Sequence, residues 1–201
     1  MMAVIVLLNK PYGVISQFRE HETHPSLAEF IKDPDLRLAG RLDTDSEGLV
    51  ILSDTGAIID RVTSPKFNKT KTYLVQVEGL ASNQQIEQLR AGVELKDGKT
   101  RPAKVELIEE PMLWLRNPPV RFRKSVPTSW LKVQITEGKN RQVRRMTAHV
   151  GLPTLRLVRT QVAGLMLKDL APGESMTVEL NTRLRQSLGV WDRTNTPSRS
   201  R

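Results

Sequence analysis

Gly40-Arg-Leu-Asp-Thr-Asp-Ser-Glu-Gly-Leu-Val-Ile-Leu52 joins the densest cluster of charge in the chain to an unbroken apolar run. The run Leu49–Leu52 reads as a buried strand. Ahead of it Asp43, Asp45 and Glu47 recur at every second position, so an extended chain places their carboxylates on one face. Three anions on one face are not all buried unless cations or a metal compensate them. As a calcium loop the spacing is poor: Glu47 stands where Asp or Asn is wanted, Asp54 where a bidentate Glu is wanted, and neither flank has a helical stripe. A polar turn between two strands accounts for the glycines and acids. It gives no reason for Arg41, two residues before Asp43 and therefore on the same side of the chain.

Outward from this stretch the chain alternates short strands with a few helices. Val4–Leu8 and Val14–Phe18 read as strands about the Pro11-Tyr12-Gly13 break, and Pro25–Ile31 as a short helix. Asp54 or Thr55 is placed to cap a helix over Gly56–Val62. Tyr73–Val77 reads as a strand, and Ser82 with Gln85 as a capping box for a helix through Leu89. A hairpin near Glu94–Lys99 and a return strand after Pro102 follow, then a strand over Trp130–Ile135. Asn140 is expected to cap a helix with Val143, Met146 and Val150 inside, ended by Gly151. Strands are expected at Leu155–Val158 and Met176–Leu180. Strands outnumber helices without strict βαβ alternation, which predicts an α+β fold with a mixed, mainly antiparallel central sheet flanked by helices. Residues 1–189 are expected to form one domain with two lobes, roughly 1–66 and 67–189, and residues 190–201 a basic, disordered tail.

Charge is unevenly distributed over the 201 residues. Residues 1–100 hold 12 Lys and Arg against 14 Asp and Glu, whereas residues 101–201 hold 19 against 8. From Trp114 to Thr160 there are 11 basic residues and a single acid, Glu137. Such a block attracts a polyanion, and nucleic acid is the leading partner. No basic segment has a matching broad apolar face, which argues against a membrane surface. No apolar run approaches a membrane span, no secretory n-region is present, and cysteine is absent, so the expected location is the cytoplasm. The absence of cysteine also excludes a thiolate nucleophile and Cys-ligated zinc.

The second cluster, Glu137-Gly-Lys-Asn-Arg-Gln-Val-Arg-Arg-Met146, leads a Gly-Lys-Asn turn into a helix with three arginines in its first turns. Backbone N–H groups and the positive dipole end favour an anion there. Arg144 falls at the margin of the buried stripe and wants a carboxylate, for which Asp43 is one candidate; a surface helix facing water or phosphate is the alternative. Arg116–Pro127, with three prolines, marks an exposed loop. Its Arg116, Arg121, Arg123 and Lys124, with Lys139, Arg141 and Arg145 near the helix start, are the candidate phosphate contacts. With only nine aromatic residues, repeated base stacking is not expected, and recognition should rest on RNA shape and backbone.

Four stretches in order, Asn9-Lys-Pro-Tyr-Gly-Val14, Gly40–Leu49, Lys71-Thr-Tyr-Leu-Val75 and Glu137–Met146, resemble the successive motifs of the RsuA family of RNA pseudouridine synthases. The resemblance covers most of residues 4–180. It implies the pseudouridine synthase catalytic fold, with a cleft across the sheet, and here without the S4 RNA-binding domain that many relatives carry. It implies isomerisation of a uridine in large-subunit ribosomal RNA, without cofactor or metal, by a protein expected to be a monomer. It places the catalytic aspartate on Asp43, acting as nucleophile or as base at the sugar C2′, the family's tyrosine on Tyr73, and its basic residue on Arg144, whose guanidinium would hold the carboxylate ionised. Arg41 would hold the RNA or fill the space left by the flipped base; Asp45 and Glu47 would be scaffold. A noncatalytic ribosome-associated RNA-binding protein would explain the charge equally well, but not Asp43 beside Arg41. A serine hydrolase lacks its Gly-x-Ser-x-Gly elbow, and His21-Glu-Thr-His24 lacks metalloprotease spacing.

Overall fold

A computed structural model of the chain describes residues 3–121, 123 and 125–190. Lys124 and residues 191–201 of the expected tail lie outside the described residues. The strands are β1 (Ile5–Lys10), β2 (Arg37–Leu38), β3 (Glu47–Ser53), β4 (Lys71–Glu78), β5 (Glu94–Leu95), β6 (Gly98–Lys99), β7 (Lys104–Ile108), β8 (Thr128–Ile135), β9 (Thr154–Val162), β10 (Leu165–Met166) and β11 (Ser175–Val178). The helices are α1 (Gly56–Thr63), α2 (Asn83–Ala91), α3 (Gln142–His149) and α4 (Thr182–Leu188).

Among the described residues the main sheet runs β11-β1-β3-β9-β4-β8-β7, with β2 added beside β3 and β10 beside β9. All its ladders are antiparallel except β3 with β9. That parallel contact is short, Glu47 opposite Val158 and Gly48 opposite Arg159. It is the seam between two antiparallel halves, β11-β1-β3 and β9-β4-β8-β7. Gly48 lies at φ +102, and a Cβ added there would sit 2.3 Å from the Arg159 carbonyl oxygen. Only glycine lets the two backbones approach this closely.

The half built on β1 and β3 is covered on both faces, so its strands are continuously apolar rather than alternating. Ile5, Leu7, Leu49 and Ile51 face the core under α1 and α4, while Val6, Leu8, Val50 and Leu52 face Val14, Leu27, Leu36 and Leu42. The other half packs α2 and α3 through Ile86, Leu89, Val143, Met146 and Val150 against Val75, Leu131, Val133 and Leu157.

The expected capping box is present: Ser82 accepts from Gln85 N–H and Gln85 reaches back to Ser82 N–H. Three expectations need correction. Val14–Phe18 forms no strand, only one bridge from Ile15 to Ser26, because Ser16 instead exchanges hydrogen bonds with the Leu42 backbone. The helix expected over Pro25–Ile31 shortens to a 3-10 turn, Leu27–Glu29. Asn140 does not cap α3, because the chain passes through the left-handed region at Arg141 (φ 47) and the helix begins one residue later. Helix α4 was not expected, and Val190 beyond it packs against the adjacent core.

Candidate active site

The loop Arg41–Ser46 enters β3 at the seam, where α3 leans over it from the other half. Asp43 is half-buried there. Arg141, not Arg144, faces its carboxylate, with Nη1 3.6 Å from Oδ2. Arg141 also grips Asp45 through both oxygens, at 2.9 and 2.7 Å. Arg144 lies deeper. It donates from Nη2 to the Asp45 carbonyl at 2.6 Å, and its Nε stands 3.5 Å from the Asp45 carboxylate. The expected pairing of Arg144 with Asp43 is therefore replaced by two arginines holding Asp45 and one of them reaching on to Asp43. The reason is the left-handed turn at Arg141, which brings that side chain to the loop while Arg144 stays one helical turn inside.

Charge and burial oppose each other in this network. Burial pushes the Asp45 carboxyl up, but the hydrogen bond from Arg141 and the nearby charge of Arg144 outweigh it and hold its pKa below the ordinary value. Arg141 is raised in turn, first by its hydrogen bonds to Asp45, and Asp43 adds to the effect. Burial lowers Arg144.

Glu47 points away from this network into the protein. It is almost fully buried and receives Arg156 Nε and Nη2, both at 2.9 Å, and Trp114 Nε1 at 2.8 Å. Each of the three alternating carboxylates thus meets a guanidinium, and the pattern that suggested a calcium loop resolves into ion pairs.

A cavity of about 430 Å³ opens beside Asp43. Tyr73 and Lys71, alternate residues on one face of β4, form its wall with Arg41, Arg141 and Arg159. The β4–β9 ladder breaks register between Thr72 and Tyr73, an irregularity of the kind that re-aims a side chain beside a site. Tyr73 is buried, and Arg159 opposite it donates to the Leu49 and Arg41 carbonyls at 2.8 and 3.2 Å, fixing the loop from below. Burial and then Arg159 lower the Lys71 ammonium.

The expected phosphate contacts fall into two groups. Arg116 is folded back on the carbonyls of Pro118 and Pro119 and stacks over Tyr12 at 4.3 Å. Arg145 is bidentate on Asp97 (2.7 and 3.1 Å), Lys139 donates to the Asp97 and Gly98 carbonyls, and Arg123 stands 3.5 Å from Glu78. Arg41 and Arg121 are exposed and have no side-chain partner among the described residues.

Sequence reasoning assigned no role to Lys10, Lys71 or Arg159. Lys10 is fully buried and donates to the Pro11 and Val14 carbonyls at 2.8 Å and to Thr44, next to Asp43, at 3.5 Å. Burial lowers its pKa to about 7, against the opposing pull of Glu47, Asp45 and Asp43. Its signal was a lone charge ending an apolar strand; that of Lys71 was its spacing of two from Tyr73.

An aspartate and a tyrosine thus share a cavity whose other charged lining residues are cations apart from Glu137, at the seam of a mixed sheet. The family model described as RNA pseudouridylate synthase matches residues 4–149, and the chain belongs to that family. It is 55% identical over 88% of its length to the ribosomal large subunit pseudouridine synthase E of Vibrio vulnificus (strain CMCP6), covering 75% of that protein. To the protein of the same name from Xanthomonas axonopodis pv. citri (strain 306) it is 57% identical, with 84% and 90% of the two chains covered. A solved structure titled as a pseudouridylate synthase superimposes with a TM-score of 0.76 at 28% identity, over 92% of this chain and 74% of that one. The expected α+β pseudouridine synthase fold is thereby shown.

Proposed function

We propose that the protein isomerises a uridine of large-subunit ribosomal RNA to pseudouridine in the cytoplasm, with the target base turned out of its stack into the Tyr73 cavity. The observation that carries the reading is the placement of Asp43 and Tyr73 on one cavity whose other charged lining residues are cationic except Glu137. The N1–C1′ bond breaks, the uracil turns, and a C5–C1′ bond forms. C5 then gives up its proton and N1 takes one up, so product and substrate have the same composition. No redox step occurs.

Asp43 acts at the sugar, as nucleophile on C1′ or as base at C2′, and Arg141 provides its countercharge across 3.6 Å. Arg144 is a positioning residue: it holds the Asp45 backbone and so the loop that presents Asp43. Tyr73 offers a ring against the base and a hydroxyl for the C5 proton. Eversion costs a few kcal/mol, which cationic contacts to neighbouring phosphates offset. Arg41 and Lys71 at the cavity and Arg121 on the proline-rich loop are placed for those contacts; Arg123, Arg141, Lys139 and Arg145 contribute to the same positive field while tied to acids or carbonyls. Residues 1–189 act as the catalytic domain, and the protein works as a monomer.

The test is incubation of the full chain with unmodified large- and small-subunit ribosomal RNA transcripts, followed by pseudouridine mapping. Pseudouridine at a discrete position in the large-subunit transcript supports the reading. Its absence from both, under conditions where the protein binds the RNA, contradicts it.

A further inference from the structure

The ridge made by Arg41, Leu42 and Asp43, faced by Asn140 and Arg141, has a cavity on each side. One holds Tyr73. The other, about 580 Å³, is walled by Tyr12, Ile15, Ser16, Gln17 and His24. None of these five has a part in the isomerisation described above. Both volumes lie in the range of small-ligand sites.

RNA is covalently continuous, so a strand that delivers one uridine into the Tyr73 cavity must lead its neighbour away across this ridge. Arg41 borders both cavities and is exposed, where the connecting phosphate would cross. The walls of the second cavity suit a base better than a phosphate. Ile15 and Leu42 are apolar, the Gln17 amide has a donor and an acceptor, and His24 has a planar ring. Asp43 and Asp45 on the rim offset the charges of Arg41 and Arg141, so the lining carries no net positive charge to hold a phosphate inside. Tyr12 is fixed as a wall by the Arg116 guanidinium stacked on it.

We infer that this second cavity is a nucleotide subsite that takes the base adjacent to the target uridine, with Gln17 and His24 touching it; the inference rests on the pseudouridine synthase reading. Among the described residues the Gln17 side chain donates only to the nearby Arg19 carbonyl at 3.2 Å, and His24 meets His21 ring to ring at 5.6 Å. Neither side chain is part of the core.

The experiment uses the full chain and a synthetic RNA hairpin carrying the mapped target, with an abasic ribose at the 5′ or the 3′ neighbour. Removing the base at one of the two neighbours is expected to lower kcat/KM about tenfold, within what contact with a base supplies. The Gln17→Ala/His24→Ala double variant should lose a similar factor on intact RNA, melt with the wild type, and lose nothing further on the abasic RNA. Equal rates on intact and abasic RNAs would overturn the subsite, as would the same abasic penalty in variant and wild type. No pseudouridine even on intact RNA would overturn it by a different route, through the reading on which it rests.

Discussion

Asp43 and Glu47 stand four residues apart in one motif, and each meets an arginine from the other half of the sheet, yet they are held in opposite ways. Glu47 is 1% exposed, its carboxylate held by a two-point guanidinium and an indole N–H. Asp43 keeps 35% of its side chain exposed, has one guanidinium at 3.6 Å, and opens onto a cavity. Three donors shared between its two oxygens make Glu47 a clamp across the seam. A carboxylate with a single, more distant guanidinium is left open as a reagent. Asp45 lies between the two, chelated by Arg141 and steadied by Arg144, and passes the order of the seam to the loop that carries Asp43.

The contrast can be broken at the clamp first. Glu47→Ala leaves Arg156 buried without its partner and should cost about 3–5 kcal/mol in denaturant unfolding. Replacing both members, Glu47→Leu with Arg156→Met, should cost less than Glu47→Ala alone, because no charge is stranded. A double replacement as costly as the single one would mean that the pair's charges are not what matters there.

Arg141 tests the opposite pole. Arg141→Ala removes the countercharge of Asp43 and lets its loop shift, and the single-turnover rate should fall about 10²-fold. Its 43% exposed side chain predicts a stability loss under about 1 kcal/mol. A variant that loses stability but keeps its rate would move Arg141 to the clamp's side of the comparison.

The phosphate contacts sharpen the same distinction at the surface. Arg121→Ala should reduce the slope of log affinity against log salt by about 1, while Arg145→Ala, already committed to Asp97, should change it less. Equal slopes for the two variants would remove the distinction between free and paired arginines.

A separate, pH-dependent effect concerns Lys10. Its folded pKa of about 7 lies below the ordinary 10.5, so above pH 7 the unfolded chain binds more protons than the folded one. The group's contribution therefore makes stability rise as pH rises from 7 toward 10, and below 7 the burial penalty is felt in full. Lys10→Met should flatten that rise in Tm; an unchanged pH profile would contradict the assignment.

Much of the arrangement was readable from local pattern. The buried run Leu49–Leu52, the Ser82–Gln85 box and the acid–arginine clusters each announce themselves through period or capping chemistry. What escaped depends on partners far along the chain. The exchange of Arg141 for Arg144 follows from one left-handed residue ahead of α3, which no propensity indicates for arginine. The need for Gly48 comes from the Arg159 backbone, remote in sequence. Helix α4 is marked in the sequence by its ends: Asn181 caps it by accepting from Leu184 N–H, Leu184 and Leu188 form its inner stripe, and Gly189 ends it in the left-handed region. Val14–Phe18 misled because apolar alternation there serves a loop that packs beneath Leu42 instead of a ladder.

The most direct trial compares Asp43→Asn with Glu47→Gln, measuring Tm, RNA affinity and pseudouridine yield on the same transcript. Asp43→Asn should melt and bind as the wild type does while forming no pseudouridine, and Glu47→Gln should melt lower while its folded fraction still turns over. Pseudouridine formed at the normal rate by Asp43→Asn would contradict the account.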